Sequence, residues 1–118
     1  MKTILKLVLS TTLLSVSAWA CAQPVILINT FSVAGEKEAE TLAYWEEARD
    51  ILEQQPGYVS TKLHRSLSTD ATYRFVNVAV WQTSKQFKEA IANMQAVLPK
   101  LALEGVSADP NLYEVIRD

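Results

Sequence analysis

The amino-acid sequence predicts an α+β domain with the element order βαββαβ, and three observations carry that expectation. Two runs rich in β-forming residues, VILINTF and TYRFVNVAVW, stand well apart in the chain. Between them lies a stretch whose apolar residues recur at helical spacing. A Pro-Gly pair, Pro56-Gly57, closes that stretch just before a further β-rich segment.

Residues 25–31 form the first predicted strand, a short run of β-formers. Residues 36–55 place Leu42, Trp45, Ala48 and Leu52 on one helical stripe, with Glu and Lys between them. Pro56 stops this helix, because proline disfavours a helical residue before it, and Gly57 supports the turn. Residues 58–66 read as strand two, and Ser68-Thr69-Asp70 as a turn. Residues 72–81 are the strongest strand in the chain. Thr83 or Ser84 caps a second helix that runs to about residue 97. Pro99 breaks it, a loop-like stretch reaches Pro110, and residues 111–116 close as strand four. The order is that of a ferredoxin-like fold, a four-stranded antiparallel sheet with both helices on one face.

Ahead of this domain, residues 1–22 read as a signal peptide. Lys2 and Lys6 make a basic start, residues 7–16 are mostly apolar, and Ala18-Trp19-Ala20 is a small-x-small site. The apolar run is shorter than the roughly 20 residues that span a bilayer. An exported protein, periplasmic or secreted, is therefore expected. Cys21 is the only cysteine. Cleavage before Gln23 discards it, whereas lipidation at Cys21 would anchor the protein to a membrane. In neither case can the protomer form a disulfide.

The remaining domain, residues 23–118, carries 9 basic and 13 acidic side chains once Lys2 and Lys6 are set aside, a formal charge of −4. That balance argues against nucleic acid, which needs a basic footprint. The acidic cluster of Glu36, Glu38, Glu40, Glu46 and Glu47 has no His or Cys beside it and reads as a solvated helix face, so no metal site is expected. Three glycines and no phosphate loop leave no dinucleotide site.

Strand side chains alternate between faces, so parity sorts them. Val76, Val78 and Val80 form an aliphatic row suited to packing under the helices, as do Ile26, Ile28, Val59 and Leu63. The opposite, uncovered face then gathers Asn29, Phe31, His64, Tyr73, Phe75, Asn77 and Trp81. Large apolar patches on a surface mark binding sites. A second copy of the sheet is the simplest cover, which gives a homodimer with pockets lined by aromatic and amide side chains.

Within that set, His64 is the sole histidine. It suits a general base; as a bland alternative it is an interface histidine. Asn77 interrupts an apolar strand and needs a partner, since an unpaired buried amide costs about 1–3 kcal/mol. That partner is a substrate oxyanion, Asn29 on a neighbouring strand, or the dimer register. Trp81 suits an aromatic wall or an interface anchor.

The strings LINTF, QQPGYVSTKLHRSL and FVNVAVW, followed by a helix that contains Phe87, resemble the antibiotic biosynthesis monooxygenase family over nearly all of the domain. The resemblance implies a dimeric α+β barrel. It also implies a cofactor-free monooxygenase that uses O2 on a small electron-rich aromatic such as a hydroquinone, phenol or anthrone. His64, Asn77 and Trp81 match the family's pocket histidine, asparagine and tryptophan and are the expected catalytic residues. Asn29, Phe31, Tyr73, Phe75 and Phe87 are the expected substrate-binding residues. Phe87 stands where some members carry a tyrosine, and a pocket arginine has no clear counterpart. The family is similar to heme-degrading oxygenases, whose strand-one asparagine and strand-three tryptophan match Asn29 and Trp81. The helix after Ser84 lacks their axial histidine. The alternatives to oxygenation are a non-catalytic dimeric binder of a hydrophobic aromatic and a protein that detoxifies reactive quinones without oxygen insertion.

Overall fold

The computed structural model describes residues 23–118. The signal-peptide reading of residues 1–22 and both fates of Cys21 lie outside the described residues.

The strands are β1 (Val25–Val33), β2 (Tyr58–Arg65), β3 (Phe75–Trp81) and β4 (Val106–Tyr113), and the helices are α1 (Glu38–Leu52) and α2 (Ser84–Gln95). The four strands form one antiparallel sheet in the order β2-β3-β1-β4. This is the expected ferredoxin-like α+β fold.

Helix α1 follows a short 3-10 turn at Gly35–Lys37. Glu38 and Glu40 lie in its first turn, where carboxylates complement the positive end of the helix dipole. Glu38 also pairs with Arg74 at 2.7 Å, which ties the start of α1 to the approach to β3. After α1 the chain turns at Gly57, whose φ of +91° favours glycine. A Cβ there would lie 2.5 Å from Gln86 Oε1. Gln86 belongs to the first turn of α2, where its backbone N–H donates to the Thr83 hydroxyl at 3.1 Å. This N-cap fixes where α2 begins. The turn before β2 and the start of α2 therefore abut, and each limits the other.

Several expected boundaries shift: β1 reaches Val33 and α1 is confined to Glu38–Leu52. Strand β3 begins at Phe75, not residue 72, and Tyr73 precedes it as an exposed side chain. Helix α2 ends at Gln95. Strand β4 runs Val106–Tyr113, not residues 111–116, and pairs with β1 from Val33↔Val106 to Ile26↔Tyr113. Its segment SADPN reads locally as a turn, but pairing with β1 overrides that preference. Pro110 is tolerated because β4 is an edge strand.

The larger correction concerns the two faces. Leu27, Ala79 and Trp81 form a buried cluster with Ala90 of α2, and Phe87 packs against it. The row Phe75, Asn77, Ala79, Trp81 therefore lies under the helices, and every member of it is buried. Val76, Val78 and Val80, expected beneath the helices, occupy the open face with Ile26 and Ile28 and are only half-buried. Phe75 and Trp81 bury more apolar area than three valines, so the bulkier row goes inside. In β2 the expected placement of Leu63 towards the helices holds, because it pairs with Asn77. Val59 does not follow it: the register shifts between Tyr58 and Ser60, and Val59 is 52% exposed at that irregularity.

Candidate functional site

The helices do not press flat onto the sheet. Between them and the strands lies a cavity of about 680 Å³. That is within the size range of small-molecule sites. Its floor is the covered face of the sheet, with Asn29 and Phe31 from β1, Asn77 and Trp81 from β3, and Thr61 from β2. Trp45 and Leu52 of α1 line one wall, and Phe87 and Met94 of α2 line another. Lys100 and Leu101, in the connection to β4, also border it. The helical stripe of α1 thus faces a cavity, which explains why Trp45 and Leu52 are only partly buried.

The polar floor follows from strand register. Asn29 and Asn77 are direct partners across β1 and β3. Their side chains leave the sheet on the same side, with Cβ atoms roughly 4.5–5.5 Å apart as in any such pair. Asn77 is 8% exposed, and its Oδ1 accepts a hydrogen bond from the Thr61 hydroxyl at 2.7 Å. Thr61 can reach it because its own partner in the ladder, Ala79, is two residues from Asn77 on the same face. The Asn29 Oδ1 is enclosed and has no hydrogen-bond partner. A buried amide oxygen left unpaired costs about 1–3 kcal/mol, so this position is held against a cost.

Trp81 is 1% exposed and is gripped on two sides. The rings of Tyr58 and Phe87 each meet it edge-on at 5.6 Å between centroids. Such contacts fix the plane of the indole as well as burying it.

The titratable side chains that line the cavity are Tyr44, Arg49, Tyr58 and Lys100. Burial pushes the Tyr44 phenol above its ordinary pKa, and its hydroxyl donates to the Pro99 carbonyl at 2.8 Å. This hydrogen bond joins α1 to the connection that borders the cavity. The Arg49 guanidinium bonds Asp50 Oδ1 at 3.0 and 3.1 Å and lies 5.2 Å from the centre of the Trp45 ring.

Of the residues expected at the site, Asn29, Phe31, Asn77, Trp81 and Phe87 line this one cavity. Phe75 is buried on the same face without lining it, and Tyr73 is exposed beyond the end of β3. His64 is on the other side of the sheet. It pairs with Val76, whose neighbours Phe75 and Asn77 point to the covered face, and its Nδ1 lies 3.1 Å from the Val76 carbonyl oxygen. It is exposed and does not line the cavity, so it is not placed to take a proton from a molecule held there. The expectation that grouped it with Asn77 and Trp81 fails because strands one and three face opposite to their apparent parity, whereas β2 does not.

Thr61, Tyr44, Tyr58 and Lys100 were not anticipated at the site. Thr61 carries a signal in the sequence, since it shares parity with Leu63. The other three depend on how the connections fold.

The sequence profile of the antibiotic biosynthesis monooxygenase family matches residues 24–93. Among solved structures, a protein from Shewanella loihica PV-4, provisionally named a monooxygenase, is 45% identical. The match covers 81% of this chain and 97% of that one, with a TM-score of 0.75. SnoaB, a cofactor-independent oxygenase from Streptomyces nogalater, is 25% identical over 82% of this chain and 97% of its own, with a TM-score of 0.63. The heme-degrader MhuD from Mycobacterium tuberculosis shares the fold at 21% identity and a TM-score of 0.59, over 80% of this chain and 97% of its own. No curated protein matches the chain. The profile match and the Shewanella relative together make this chain a member of the antibiotic biosynthesis monooxygenase family.

Proposed function

We propose that the protein is an exported, cofactor-independent monooxygenase that oxidises a small electron-rich aromatic with O2 inside the cavity between sheet and helices. The observation that carries this reading is the Asn29–Asn77 pair on the floor of a chamber lined mostly by aromatic and aliphatic residues. A flat ring fits against Trp81, Phe87 and Trp45, and the amides meet its oxygen substituents. Pre-aimed amide donors are worth most where negative charge develops away from water. The family membership and the likeness to SnoaB support the same chemistry.

The electrons come from the substrate. For a hydroquinone or an anthrone, one atom of O2 becomes a carbonyl oxygen on the ring. The other leaves as water with two substrate hydrogens. Four electrons pass from substrate to O2, and no external reductant is needed.

Heme fits the cavity poorly. Heme iron is held by His, Cys, Met paired with His, or Tyr. Among the described residues no His or Cys lines the cavity, so Met94 has no histidine there to pair with; the Tyr44 hydroxyl is engaged with Pro99, and Tyr58 packs against Trp81. No step through heme is derived.

The assembly we infer is a homodimer joined through the open sheet face, where Ile26, Ile28, Val76, Val78 and Val80 form a continuous aliphatic surface. Residues 1–22 act as the signal peptide in this reading.

The test is oxygen uptake by the purified protein against hydroquinones, naphthols and anthrones, with no metal or flavin added. Uptake that depends on the protein, and falls about 10²–10³-fold in Asn77→Ala, is the expected result. Saturable binding of these aromatics with no uptake from any of them would replace the oxygenase with a binding protein.

A further inference from the structure

The hydrogen-bonding sense of the cavity floor can be read from the two amides. The Oδ1 of Asn77 is taken by Thr61, so its Nδ2 is the end left to meet a ligand. The Oδ1 of Asn29 is enclosed, which leaves its Nδ2 as the reachable end. Because the two residues are register partners, the floor offers two N–H donor groups side by side.

The charges around the cavity point the same way. From α1 come Tyr44 and Arg49, from β2 Tyr58, and from the connection before β4 Lys100. The cavity-lining residues of β1, β3, α2 and β4 include no titratable side chain. Among the described residues no carboxylate or imidazole lines the chamber, and its charged lining groups are Arg49, which is paired with Asp50, and Lys100. Tyr44 stays a neutral phenol there, since burial disfavours its anion and its proton is shared with Pro99. A neutral phenol entering this cavity meets the amide donors and the Lys100 cation but no carboxylate or imidazole, while its anion meets both favourably.

We propose that the cavity selects substrates that arrive as ready-formed oxyanions, phenolates or enolates of acidic hydroxyaromatics, and that the protein supplies no catalytic base. This inference rests on the oxygenase reading and narrows its substrate class. The proton leaves the hydroxyl, or the tautomeric ring carbon, to water before or on binding. The anion then reacts with O2: a ring C–H bond and the O–O bond break, a ring C=O bond forms, and hydroxide departs. That hydroxide recovers the proton released at ionisation, so the balance is substrate plus O2 giving the ring carbonyl and water. Two consequences follow. The protein lowers the pKa of a phenol that it binds. The pH at which turnover rises is set by each substrate's own acidity, not by a group of the protein.

Both consequences are measurable on the purified protein. The first uses 4-nitrophenol and 4-nitro-1-naphthol, whose phenolates absorb in the visible and which O2 does not oxidise. Bound to the protein, each is expected to ionise at least one pH unit below its value in free solution, equivalent to at least tenfold tighter binding of the anion than of the phenol. Asn77→Asp keeps an oxygen for Thr61 but puts a negative charge on the floor. In that variant the bound probe is expected to ionise at or above its free value. A wild-type protein that binds the probes as neutral phenols overturns the proposal.

The second measurement is the pH dependence of kcat/KM for oxygen uptake with two naphthols of different acidity. The midpoint is expected to move one-for-one with substrate pKa, and the His64→Ala profile is expected to superimpose on that of the wild type. Uptake whose midpoint stays fixed across substrates overturns the anion proposal while leaving the oxygenase intact. A lowered probe pKa with no uptake from any aromatic supports the anion site and removes the oxygenase.

Discussion

The two faces of the one sheet are built from the same alternating strands, yet they carry opposite logic. On the two central strands the open face is the more uniformly aliphatic, with Ile26, Ile28, Val76, Val78 and Val80 in adjoining rows, while Ser60, Lys62 and His64 of β2 and Asp109 and Asn111 of β4 flank them. The covered face mixes Phe31, Phe75 and Trp81 with the amides of Asn29 and Asn77. By hydropathy alone the first looks like a core and the second like a surface. The reverse holds because packing under helices rewards bulk. The aliphatic rows of the central strands are thus left on the open face, and mixed aromatic-amide character marks the face that encloses the cavity.

This contrast can be broken from either side. The largest effect is expected at Trp81→Ala, which empties a position packed on Tyr58 and Phe87. Denaturant titration should show a loss of about 3–5 kcal/mol, in line with other large-to-small core changes. Val78→Ala, on the same strand but on the open face, should cost far less. Next, Asn77→Ala should lower oxygen uptake by about 10²–10³-fold, or roughly 2.7–4 kcal/mol of transition-state stabilisation. Its circular dichroism should be unchanged. Val78→Lys should weaken self-association at least tenfold in sedimentation equilibrium, about 1.4 kcal/mol. If it leaves the assembly unaltered, the open face is not the dimer surface. His64→Ala is expected to do least, with oxygen uptake staying within about twofold of wild type and its pH profile unmoved. A large loss there would restore an imidazole to the chemistry and undo the division between the faces.

Much of the site was legible before folding was considered. Parity groups Asn29 with Phe31, and Phe75 with Asn77 and Trp81, whichever way the strand faces, so those sets survive the inversion intact. Helical spacing likewise collects Trp45, Ala48 and Leu52 on one side of α1. What parity does not carry is the sign that relates one strand to the next. Leu63 was correctly turned to the helices and His64 away from them, but β1 and β3 were turned the wrong way. The sole histidine was thereby joined to a site on the opposite side of the sheet. Val59 and β4 were missed for related reasons. A register irregularity beside Tyr58 and an edge pairing through Pro110 are decided by the neighbouring strand, not by the residues themselves.

The sequence by itself determined the order of strands and helices, the residues that share each strand face, and the family. These depend on local periodicity, on turn chemistry at Pro56-Gly57, and on the succession of short motifs. Only the tertiary structure decided which face the helices cover, that Thr61 bonds the Asn77 amide, and that Arg49 and Lys100 border the chamber while His64 lies on the other side of the sheet. Each of those outcomes is set by contacts between segments distant in the chain, where bulk, register and burial compete and no single stretch contains the result.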